Sequence, residues 1–126
     1  MASNALRGLA GRLYPWLLWL FVLSVLAQIF FAGMALFGAT SGFGLHRDFG
    51  YSVPGIIALV VLLAAVAGGL GRNTILWSAG LLVLYIVQTT LPVLRDSMPM
   101  VAALHPLNAM LLLAIAVWLA RRRVRS

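Results

Sequence analysis

LYPWLLWLFVLSVLAQIFFAGMALF, residues 13–37, decides the fold. The run holds no charged side chain. About 20 apolar residues cross a bilayer core of about 30 Å at 1.5 Å per residue, so the run predicts a membrane-spanning helix with length to spare. With Arg7 and Arg12 ahead of it, it has the look of a signal peptide. It is too long for one, and further spans follow, so a retained helix is expected. Residues 1–12 read as a polar, frayed or interfacial start, and Tyr14, Trp16 and Trp19 as an aromatic belt at the headgroup level.

The rest of the chain repeats the pattern. Gly38–Gly42 is a turn, and a second span is expected over about 43–70, with Pro54 kinking or locally unwinding it near 51–55. Residues 71–73 make a tight connection, with Asn73 or Thr74 as N-cap of a third span over about 74–94. Arg95–Ser97 turns the chain again. Ser97 is expected to cap a fourth span over about 99–120, with Pro99 in its first turn. Gly68-Gly-Leu-Gly71 reads as a helix end, not a nucleotide loop.

Composition agrees. The chain has 126 residues, 63% hydrophobic and 9% charged, against about 25% charged in a soluble domain. The expected fold class is all-α: one domain, a transmembrane up-down-up-down four-helix bundle. Without cysteine, no disulfide, thiolate metal site, iron–sulfur cluster or covalently attached c-type haem can form. The net charge of +7 comes from arginines at the ends of apolar runs, which sets topology and gives no nucleic-acid signal. Seven arginines fall on the side of the termini and the 71–73 turn, and two, Arg47 and Arg95, on the other. The richer side, with both termini, is expected to be cytoplasmic. The expected location is the plasma (inner) membrane of a bacterium.

Val101-Ala-Ala-Leu-His105-Pro-Leu-Asn-Ala109 places an ionisable group about two turns inside the fourth span. Such groups are costly at membrane depth unless paired, ligated or wetted, and they mark functional sites by default. The other histidine is His46, also preceded by leucine. Gln28 precedes His46 by 18 residues and Gln88 precedes His105 by 17. The halves therefore read as two hairpins related by an axis along the membrane normal.

Both histidines are expected in the outer half of the bilayer, on helices two and four. Diagonal helices of a bundle lie roughly 11–14 Å apart, since neighbours pack at 8–10 Å. That leaves room for a planar macrocycle between two imidazoles. Two histidines alone make a poor zinc site, which wants three or four ligands. His46 and His105 are thus expected as axial ligands of one b-type haem. Gln88, Asn108 or a backbone carbonyl could hold a ligand's Nδ1 proton, and Gln28 stands in the matching position of the first half. Arg47 and Arg95 at the outer rim are placed to pair with propionates. The plain alternatives are a wetted interfacial His46, a His105 bonded to Gln88 or a carbonyl, glutamines that only join helices, and arginines paired with Asp48 and Asp96.

These residues also carry a resemblance. Gln28-Ile-Phe-Phe-Ala-Gly33, His46-Arg47 and the 101–109 stretch resemble the glutamine, His-Arg and late-histidine motifs of one half of haem A synthase. That family is two four-helix bundles in tandem, each with a histidine pair facing a haem on the outer side. The chain is also similar to small uncharacterised bacterial four-helix proteins with His-Arg and Leu-His-Pro-x-Asn-Ala signatures. The resemblance covers about residues 14–120 and implies a single haem-binding half-unit. No span contains a glutamate, whereas the synthase has an acidic residue by its catalytic histidines, so haem binding is implied without catalytic activity of the chain's own.

Two functions are expected from different classes. One is a small cytochrome b-like membrane protein for electron transfer or haem handling. The other is a haem-free structural or accessory subunit. Lipid is the expected surroundings in either case, with a membrane-protein partner or a second copy of the chain left open, and no nucleic acid.

Overall fold

A computed structural model describes residues 4–122; Arg123, Arg125 and Ser126 lie outside the described residues. It is all-helical: α1 (Asn4–Leu36), α2 (Gly44–Ala67), α3 (Arg72–Thr90), a 3₁₀ helix (Leu91–Arg95), α4 (Pro99–Ala102) and α5 (His105–Arg121). Four helical stretches are long and apolar enough to cross a membrane, counting Arg72–Arg95 and Pro99–Arg121 as one each. The outer faces agree with that. Leu23, Phe30, Ile56, Leu63, Val83 and Leu107 are all exposed, and an apolar surface of this extent suits lipid contact.

The helices form a ring in which α1 packs on α2 and α5, and α3 packs on α2 and α5. The diagonals are α1 with α3, and α2 with α5. Tyr14, Leu18, Phe21, Val61, Leu81, Leu112 and Leu119 fill the centre. Tyr14 therefore belongs to the core and not to the aromatic belt: its hydroxyl donates to Ser78 Oγ at 2.8 Å, and Ser78 donates on to the Thr74 carbonyl at 2.8 Å. Trp16, 72% exposed, keeps the outward position expected of it.

Two helix ends explain the turns. After α1, Ala39 N–H bonds Met34 O and Gly38 N–H bonds Ala35 O; after α2, Leu70 N–H bonds Ala65 O and Gly69 N–H bonds Val66 O. Both are Schellman ends, and Gly38 (φ 77°) and Gly69 (φ 62°) supply their left-handed residue. The 68–71 stretch is a helix end, as its glycines suggest.

Several expected boundaries move. α1 begins at Asn4, nine residues before the uncharged run, and its first turns pack against the 68–70 corner: a Cβ at Gly69 would come within 2.6 Å of Arg7. Gly71, not Asn73 or Thr74, precedes α3, and Met98, not Ser97, precedes α4, with Pro99 in its first turn as expected. Pro54 leaves α2 helical throughout. Its missing N–H frees the Gly50 carbonyl four residues back, and the Tyr85 hydroxyl donates to that oxygen at 2.8 Å. Tyr85 gets there by lying over Gly55, where a Cβ would meet its ring at 2.5 Å. Pro106 does interrupt the fourth span, which breaks at 103–104 between α4 and α5.

Candidate functional site

His46 sits in the first turn of α2 and His105 opens α5, so the diagonal pair of helices brings both to one level of the bundle. The imidazole centres lie 6.1 Å apart with planes at 77°. Each ring is held in the same way. His46 Nδ1 is 2.9 Å from the Gln28 carbonyl, and His105 Nδ1 is 2.9 Å from the Gln88 carbonyl. A carbonyl only accepts, so Nδ1 carries the proton in both rings. In a neutral histidine that leaves Nε2 with its lone pair, the nitrogen a metal would take. The matched Gln–His spacing thus marks matched bonds, made by the glutamine backbone and not by its side chain. In the second half the cause is visible: Pro92 has no N–H to return to Gln88 O.

The side chains of the two glutamines differ. Asn108 Nδ2 donates to Gln88 Oε1 at 2.8 Å and to the Leu84 carbonyl at 2.9 Å. That turns the Gln88 amide nitrogen toward His105 Nε2, at 3.4 Å. In the first half, Phe49 occupies the place of Asn108, three residues after the histidine, and packs edge-on against Phe31 at 5.2 Å. Gln28 gains no such partner. Its Oε1 is buried and makes no hydrogen bond. Gly50 gives its amide room, since a Cβ there would collide with Gln28 Nε2.

The two histidines and the two glutamines line one cavity of about 880 Å³, between the four helices at the His46–His105 end, and Asn108 stands behind Gln88 outside that lining. Gln28, His46, Gln88 and His105 supply polar atoms, and Ala32, Pro54, Pro92, Ala109 and Leu112 supply apolar wall. Arg47 and Arg95 also line it. Each reaches the neighbouring aspartate: Arg47 Nε is 2.8 Å from Asp48 Oδ1, and Arg95 Nε is 3.5 Å from Asp96 Oδ1. All four side chains are largely exposed, so these pairs add little stability. A guanidinium has five donors, so its aspartate contact leaves capacity for a second acid. Tyr85 also lines the cavity, and Tyr51 does so beside it, with its hydroxyl 3.4 Å from Thr89 O. Among the described residues no three His, Cys, Asp or Glu side chains gather into a metal cluster.

The ring-centre separation can be set against that of two imidazoles on either side of a flat macrocycle. An iron–nitrogen distance of about 2 Å on each side, plus about 1 Å from nitrogen to ring centre, separates two axial imidazoles by about 6 Å. The observed 6.1 Å agrees. The cavity volume lies in the usual range of about 300–1,000 Å³ for small-molecule and cofactor sites. The buried, unbonded Gln28 oxygen is an acceptor in want of a donor.

A family of unknown function (DUF6220) matches residues 28–93, just over half of the chain. The chain belongs to that family. The matched residues hold Gln28, His46 and Gln88, and His105 lies beyond them. No curated protein and no solved structure matches the chain. None of these findings links it to haem A synthase.

Proposed function

We propose that this member of the family is a small multi-pass protein of the bacterial plasma membrane that holds one b-type haem between His46 and His105, near the outer leaflet, for electron transfer or haem handling. The observation that carries the reading is the symmetric pair: two rings 6.1 Å apart, each with Nδ1 tied to a glutamine carbonyl 2.9 Å away. The carbonyls fix tautomer and ring orientation, as outer-sphere partners of metal-bound histidines do. His46 and His105 would hold the group, which would supply one-electron iron chemistry there. Gln88 must give up its contact with His105 Nε2, and Asn108 can keep hold of the Gln88 oxygen as it does so. An absorption spectrum of the purified protein, with haem supplied during expression, tests the reading. A sharp Soret band and a reduced α-band are expected. A colourless protein that takes up no haem ends it.

The accessory-subunit reading has one observation in its favour: both ring nitrogens of His105 already have partners, Gln88 O and Gln88 Nε2. The same spectrum separates the two.

Orientation follows from the arginines, seven to two. With both termini cytoplasmic, a Ser126→Cys variant in intact cells should resist labelling by an impermeant maleimide. Ready labelling would invert the protein and place the histidines in the inner leaflet.

Arg47 and Arg95 line the cavity that would hold the propionates. Removing a positive charge there favours the oxidised haem. Arg47→Gln and Arg95→Gln should each lower the midpoint potential, on the order of tens of millivolts, or loosen the haem. An unchanged potential and haem content would assign both arginines to their aspartates alone.

A further inference from the structure

The end of the bundle remote from the histidines carries a second feature. A groove of about 760 Å³ runs between α1 and α5. Val22 and Leu26 form one wall, and Leu113 and Val117 the other. Trp118, Arg121 and Arg122 close it. The Arg122 guanidinium lies 4.3 Å over the Trp118 ring, and Trp77 packs edge-on against Trp118 at 4.9 Å. One cation is thus stacked on an aromatic face before any ligand arrives. Both acidic side chains of the chain, Asp48 and Asp96, flank the histidine end, so among the described residues no side-chain carboxylate competes for these arginines. From Met110 to Arg121 the groove follows twelve residues of helix, about 18 Å at 1.5 Å per residue, close to one leaflet of a bilayer core about 30 Å thick.

We infer that this groove binds one anionic glycerophospholipid, with an acyl chain along Val22, Leu26, Leu113 and Val117 and its phosphate on Arg121 and Arg122. An apolar trough one leaflet long, ending in two arginines, matches that lipid in shape and charge. Basic pockets between helices recognise anionic headgroups by the same chemistry. The inference does not depend on haem.

The test uses the full chain in bilayers of phosphatidylcholine doped with brominated phosphatidylglycerol, reading tryptophan quenching. Brominated phosphatidylcholine at equal mole fraction is the reference. The anionic lipid should quench at least about fivefold more per mole, and Trp118→Phe should remove that excess. Arg121→Gln with Arg122→Gln should abolish the preference, and Arg121→Lys with Arg122→Lys should retain most of it. Helicity by circular dichroism shows that each variant is folded, and an unfolded glutamine variant is replaced by the single Arg121→Gln, which leaves the Trp118 stack intact. Equal quenching by the two lipids in the unaltered protein would overturn the inference, as would an excess that survives either Trp118→Phe or loss of the arginines.

Discussion

His105→Ala is expected to abolish haem binding, and His46→Ala to leave five-coordinate, high-spin haem or none. Losing an axial ligand should weaken binding by more than the 10–100-fold typical of losing an outer-sphere partner. The two variants differ because their surroundings differ. Without His105, the Gln88 amide loses the ring it faces and the Gln88 carbonyl loses its donor, so a polar wall of the cavity collapses on that side. Without His46, the Gln28 carbonyl loses its donor, and His105 keeps its own carbonyl and still offers Nε2. Pigment content and the position of the Soret band read the result. Full, low-spin haem in either variant would remove that histidine from the ligand set.

The lengths of the apolar runs and the turns between them made the four spans legible in the sequence. The Gln–His spacing, 18 in one half and 17 in the other, pointed to the site. What it could not show was which part of each glutamine mattered. The histidines bond to main-chain oxygens, and every residue has one. The available signal was proline. Pro92 lies four residues after Gln88 and Pro54 four after Gly50, and each leaves a carbonyl without its usual helical donor. Both carbonyls are taken, by His105 and by Tyr85. The local Arg–Asp pairs were legible because the residues are adjacent. The orphaned Gln28 oxygen was not, because it arises from Phe49 standing where the second half has Asn108.

Tyr14→Ala is expected to cost about 3–5 kcal/mol of stability, the range for removing a large buried aromatic side chain. Near the end of an apolar run, tyrosine reads as a belt residue. Yet Tyr14, Leu18, Phe21 and Val25 recur at spacings of four, three and four, one face of a helix, and all four are buried. That stripe is invisible in a helix that is apolar all round, because its neighbours Leu17, Leu20 and Leu23 are equally hydrophobic. The hydroxyl adds a finer ordering. Tyr14→Phe removes one bond but leaves Ser78 donating to Thr74 O, so it should cost about 1 kcal/mol or less. Ser78→Ala strands the Tyr14 hydroxyl in the core and should cost more, about 1–3 kcal/mol. Unfolding in mixed detergent micelles, followed by circular dichroism, should rank the losses Tyr14→Ala, then Ser78→Ala, then Tyr14→Phe. Equal, small losses for Tyr14→Ala and Tyr14→Phe would return Tyr14 to the membrane interface and open the centre of the bundle to a different packing.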